Sequence, residues 1–185
     1  MRSALPTIAA QLGADERTLR RAAVRGTVRC RRPGPRRLEL LPGELSYLRS
    51  HWDVLTALTR AFRTEPNVRL AVLYGSAARG DQDARSDVDV LVEFRDDDAA
   101  STSALARRLE DTLGMSVDVA RLSRVRREAP LLLLQVLDEG RVLVDREERW
   151  KPLQQDRETI ARAARRQIRR NRAAAADSLA QLEGA

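Results

Sequence analysis

Gly75-Ser76-Ala77-Ala78-Arg79-Gly80-Asp81-Gln82-Asp83-Ala84-Arg85-Ser86-Asp87-Val88-Asp89 decides how this chain is read. It follows an apolar run, Val68 to Tyr74, that reads as a strand, and it leads into a second strand, Val88 to Phe94. The first strand delivers Gly75-Ser76 to a turn able to open a helix. Glycine there lets the backbone approach a ligand closely, and exposed amides beside a serine hydroxyl suit phosphate oxygens. Asp87 and Asp89 stand two apart at a strand start, so both carboxylates take one side while Val88, Val90 and Val92 take the other. Two carboxylates held together repel unless a cation neutralises them. Hard oxygen ligands of this kind select Mg2+ or Mn2+, with a substrate phosphate as a further ligand.

Outward from this stretch, strand and helix signals alternate over residues 66–146. A helix from Asp98 to Leu113 ends at Gly114, and Met115 to Ala120 is a third strand. Ala129 to Glu139 is an apolar helix stopped by Gly140, and Arg141 to Asp145 is a short edge strand. Together they predict a small α/β domain with a mixed sheet. Asp118 stands on the third strand. If that strand neighbours the second, its carboxylate joins Asp87 and Asp89 and permits a two-metal site, one ion orienting a triphosphate and the other activating a hydroxyl. Asp81, Asp83, Asp96, Asp97 and Asp98 read as solvated loop acids.

Gly-Ser, ten residues, then Asp-x-Asp resembles the signature of the polymerase-β-like nucleotidyltransferases. The fuller string Tyr74 to Asp81, with Ser86-Asp87-Val88-Asp89, is similar to the minimal nucleotidyltransferase branch, and the resemblance runs from Val68 to Asp145. It implies that Gly75 and Ser76 hold nucleotide phosphates, that Arg79 and Ser86 lie near the triphosphate and the metal loop, and that Asp87, Asp89 and Asp118 hold metal. It further implies transfer of a nucleoside monophosphate, from ATP or another nucleoside triphosphate, to a hydroxyl. Small relatives look like antitoxins that adenylylate a tyrosine of an HEPN-type toxin. The only histidine, His51, follows Ser46 by five positions and does not fit the toxin signature, so any HEPN partner is expected to be a separate polypeptide. Transfer to a small molecule or to tRNA stays open, as does a DNA-binding regulator with a nucleotide-sensing or inactive transferase domain.

Residues 1–50 carry 11 arginines and 4 acids. Leu5 to Gly13 and Glu16 to Arg25, the latter capped by Asp15 and ended by Gly26, read as two short helices joined by a tight turn. Ile8, Leu12, Leu19 and Val24 supply their apolar face. This resembles a helix-turn-helix with Arg17, Arg20 and Arg21 projecting toward DNA. Thr27 to Arg32 and Arg36 to Leu41 flank Pro33-Gly34-Pro35 as a hairpin, a basic wing bearing Arg29, Arg31, Arg32, Arg36 and Arg37. A helix from Pro42 to Arg63, broken near Ser50-His51, follows. Residues 147–185 form one long helical pattern with Leu153, Ile160, Ala164, Ile168, Ala175, Leu179 and Leu182 as its stripe, a candidate docking surface.

The expected architecture is thus an α/β transferase domain (51–146), preceded by a winged helix-turn-helix (1–50) and followed by a C-terminal helix (147–185). The formal charge of +7 is uneven: residues 51–147 hold 14 basic and 18 acidic residues, so the basic excess lies at the two ends. The longest aliphatic stretch, Leu131 to Leu134, is too short to span a bilayer. The start lacks a signal-peptide h-region, and a single cysteine, Cys30, forms no internal disulfide; both fit a cytoplasmic protein. A homodimer or a hetero-oligomer is compatible with the helix-turn-helix.

Overall fold

The computed structural model describes residues 5–34, 37–81 and 87–183, with 176–183 as backbone alone. Two short helices, α1 (Leu5–Gln11) and α2 (Glu16–Arg25), are followed by a hairpin of β1 (Cys30–Gly34) and β2 (Arg37–Leu40). Asp15 caps α2, its Oδ1 accepting the Thr18 amide at 3.0 Å, and Gly26 ends it at φ 96°, the left-handed conformation that glycine adopts freely. Val24 is 59% exposed and does not pack as its spacing suggested; Ala22 and Ala23 are buried in its place. α3 (Glu44–Arg63) is continuous. The expected break at Ser50-His51 is missing because Leu48, Trp52, Leu55, Leu58 and Phe62 keep one buried stripe in phase through it.

The rest of the chain runs β3 (Val68–Tyr74), α4 (Gly75–Arg79), β4 (Val88–Phe94), α5 (Ala99–Leu113), β5 (Val117–Arg121), α6 (Leu122–Glu128), α7 (Pro130–Glu139), β6 (Arg141–Asp145), α8 (Trp150–Gln155) and α9 (Arg157–Glu183). The strands form one sheet in the order β5-β4-β3-β6. β4 and β5 are parallel and the other neighbours antiparallel, so the sheet is mixed, with β6 at an edge. The short helix α6, which buries Leu122 and Val125, was not expected.

Strand alternation sorts the side chains into two cores. Leu73, Val88, Val90, Val92, Val117 and Val119 face α3 and α5. Leu70, Val72, Tyr74, Leu91 and Val142 face α6, α7 and the last two helices. The first core continues into Leu5, Ile8, Leu19 and Val28, so the amino-terminal helices and the sheet share one apolar cluster. In the carboxy-terminal segment, two helices replace the single one expected. Leu153, Ile160 and Ala164 are buried in the chain's own interior, so this part of the stripe is not a free docking surface. Residues 169–175 of α9 are exposed. Among the described residues no helix is long and apolar enough to cross a membrane.

Candidate active site

Two strand pairings assemble the site. Tyr74, the last residue of β3, lies opposite Asp89 of β4, and Asp89 lies beside Asp118 of β5. Neighbouring strands run about 4.8 Å apart, and residues in register point to one face, so the two carboxylates stand side by side. Asp89 is half-buried, while Asp87 and Asp118 are exposed. Burial, with the nearby charges of Asp118 and then Asp87, holds the Asp89 carboxyl above the usual carboxylate range, and Arg79 partly offsets this. Burial, Asp89 and Asp118 also push the Tyr74 phenol well up. In a chain so rich in arginine, no ion pair forms to Asp87, Asp89 or Asp118 among the described residues.

Gly75 opens α4 at φ 69°, and a Cβ there would collide with Asp89 Oδ2 and lie 3.2 Å from its Cγ. Glycine is required both for the conformation and for the close approach of carboxylate to backbone. Ser76 is half-buried in the first turn, and its carbonyl accepts the Gly80 amide at 2.8 Å. Arg79 is exposed and doubly tethered, Nε to Asp81 Oδ2 at 3.0 Å and Nη1 to Glu139 Oε1 at 2.9 Å. Ser86 lies outside the described residues.

Magnesium or manganese suits this donor set: unpaired carboxylates whose mutual repulsion a divalent cation would relieve. Among the described residues, however, no three acidic, histidine or cysteine side chains already surround one point. The pair Asp89 and Asp118 is preassembled; a complete cage is not.

A buried polar cluster behind α4 escaped the sequence. Arg141 and Glu44 are 1% and 3% exposed and pair through Nη1–Oε1 at 2.6 Å, with Nη2–Oε2 at 3.0 Å. Arg141 Nε donates to the Ala78 carbonyl at 2.7 Å, and Tyr47 Oη donates to the Ala77 carbonyl at 2.9 Å. Arg141 lies 3.4 Å over the Tyr47 ring, which stacks on His51. Burial raises the Tyr47 phenol to about 12. α4 is thereby tied to α3 and β6. An arginine opening an apolar strand at Arg141-Val142-Leu143-Val144 was the available signal.

Of the amino-terminal basic residues, Arg17, Arg21, Arg31 and Arg32 are exposed. Arg20 is paired to Glu16 at 2.8 Å, and Arg36 lies outside the described residues. Arg29 does not line a wing: it turns inward, Nη2 donating to the Glu139 carbonyl and its amide to Glu44 Oε1 at 2.9 Å, because Glu44 is buried there. Arg17, Arg20, Arg21, Arg25 and Arg32 share an open groove with Trp150 and Lys151, and Asp145 and Glu148 also line it.

The family model for polymerase beta, nucleotidyltransferase matches residues 56–149, about half of the chain. A protein of Methanocaldococcus jannaschii, provisionally named a protein adenylyltransferase, is 34% identical over 70 residues, which cover 36% of this chain and 70% of the relative. A chain of a toxin–antitoxin crystal structure with AMP-PNP superposes with a TM-score of 0.52 at 23% identity, covering 68% of this chain and 97% of that one. A chain of the complex between a tri-AMPylated Shewanella oneidensis HEPN toxin and its MNT antitoxin gives 0.50 at 21% identity, with 70% and 98% covered. At these identities the structural likeness speaks to the fold. The matched segment spans β3 through β6 and holds the Gly75-Ser76 turn with all three aspartates; the chain belongs to the polymerase β nucleotidyltransferase family and is a nucleotidyltransferase.

Proposed function

We propose that this chain transfers AMP from ATP to a hydroxyl of a separate HEPN-type toxin protein and so neutralises it as an antitoxin. The observation that supports this most is the in-register pair Asp89 and Asp118 beside the Gly75 turn, without a protein cation to pair with. Mg2+ or Mn2+ bound by Asp87, Asp89 and Asp118 would screen those carboxylates, grip phosphate oxygens and acidify the acceptor hydroxyl. The chain's own groups then bind and orient. The Gly75 backbone admits the phosphate tail, the Ser76 hydroxyl and amide hydrogen-bond it, and Arg79 reaches it by leaving Asp81 or Glu139. The acceptor oxygen replaces pyrophosphate on the α-phosphorus, helped by positioning and charge neutralisation. A protein acceptor is favoured by the name of the Methanocaldococcus relative and by the toxin–antitoxin neighbours. Exposed residues 169–175 of α9 offer a surface for the partner.

The test is transfer of label from α-labelled ATP, with Mg2+, to a co-expressed HEPN-type protein. Labelling is expected to fall by about two to three orders of magnitude in Asp87→Ala, as for loss of one strong electrostatic stabiliser. Labelling at the parent rate in that variant would overturn the assignment. Label reaching only a small molecule or tRNA would favour the other acceptors.

A second role, repression of its own operon, is supported by Arg17, Arg21, Arg31 and Arg32, which are exposed and form no ion pair among the described residues. Removing Arg17 and Arg21 should weaken promoter binding and lower the log K versus log salt slope by about 2 if each contacts a phosphate. A slope unchanged by the double variant would remove this role.

A further inference from the structure

Away from the aspartates, α2 and α3 enclose a cleft of about 260 Å³. Four arginines line it, Arg21, Arg25, Arg60 and Arg63, and no acidic residue does. None of the four forms an ion pair among the described residues, although Arg79, Arg108 and Arg149 elsewhere all do. Arg25 is held in place: its Nε donates to Thr27 Oγ1 at 3.1 Å, and that hydroxyl donates to the Val142 carbonyl at 2.5 Å. Burial, and then the charge of Arg63, depress the Arg25 guanidinium, so like charges are kept together here without a counter-charge. Deeper in the cleft are Trp52 and Thr59, each 7% exposed. The Trp52 indole nitrogen and the Thr59 hydroxyl make no hydrogen bond among the described residues. Arginine and indole groups are donors only, so the cleft gathers donors and positive charge without an acidic partner.

We infer that this cleft binds a compact phosphoryl anion: pyrophosphate, or the phosphate tail of a nucleotide or phosphate ester. Arginine forks match phosphate oxygens, and the charge they share is relieved by a dianion. A phosphate of rigid duplex DNA could meet the exposed Arg21, Arg60 and Arg63, but not the recessed Trp52 and Thr59. Arg21 also borders the groove that holds Arg17 and Arg20, so an occupied cleft changes the charge that α2 presents. The inference is independent of the transfer reaction.

The experiment uses the full chain with Asp89→Asn and Asp118→Asn, to silence the aspartate site, in EDTA. Trp150→Phe leaves Trp52 as the sole tryptophan. Pyrophosphate should change Trp52 emission saturably and raise the melting temperature. Arg25→Gln with Arg60→Gln should weaken binding by at least about tenfold, as expected for lost charge-assisted hydrogen bonds. Thr59→Val, which keeps every charge and the side-chain shape, should weaken it by a smaller factor and serves if the arginine variant misfolds. No saturable response, or an equal response in the variants, overturns the inference. So does a random-sequence duplex that displaces pyrophosphate with the same sensitivity to Thr59→Val, which would make the cleft a nucleic-acid contact.

Discussion

Gly75 shows how one missing side chain shapes the site. Its φ of 69° and its contact with Asp89 leave no room for a Cβ. In Gly75→Ala the left-handed conformation costs about 1–2 kcal/mol, and Asp89 must also move. Nucleotide transfer should therefore fall much further than the melting temperature; a variant that keeps full activity would show that Asp89 need not stand where it does. The glycine, the serine and the aspartate pair were legible because a strand repeats every two residues and the spacing is short. Asp118 was legible only on the assumption that its strand lies next to β4, which the parallel register bears out. The tether from Arg79 to Glu139 was not legible, since it joins residues 60 apart in the chain.

Among the elements, α4 is the most dependent on its surroundings. It has five residues, too few to be stable alone, and Arg141 and Tyr47 hold the Ala78 and Ala77 carbonyls at its far end. Arg141→Met strands a buried Glu44 carboxylate and should destabilise by about 3–5 kcal/mol. Adding Glu44→Gln should restore part of that stability while the KM for the nucleotide stays raised, because the Arg141 tether to the Ala78 carbonyl is still missing and only Tyr47 holds α4. Full recovery of KM in the double variant would show that the pair serves stability alone. Periodicity revealed the long, amphipathic elements: α2, α5, α7 and the strands. It failed where tertiary contacts decide. α3 continues through Ser50-His51 because its buried stripe stays in phase, Val24 is exposed while small alanines pack closely, and the polar seven-residue α6 had too few apolar positions to announce itself.

For the molecule as a whole, the uneven charge was legible from counting, and the structure separates its uses. The acidic middle forms the aspartate site, while much of the basic excess lies on α2, the hairpin and α9. Composition could not reveal that the amino-terminal helices sit in the same apolar cluster as the catalytic sheet, with Ile8 and Leu19 joined to Leu73 and Val90. That shared cluster ties the basic head to the sheet. Under native conditions, the amides of Leu19 and Ala22 should exchange with deuterium only through the same rare global opening that releases those of Leu73 and Val90. Earlier release of the head would mean that the two parts breathe separately; matched protection would mean that whatever docks on the head leans directly on the catalytic strands.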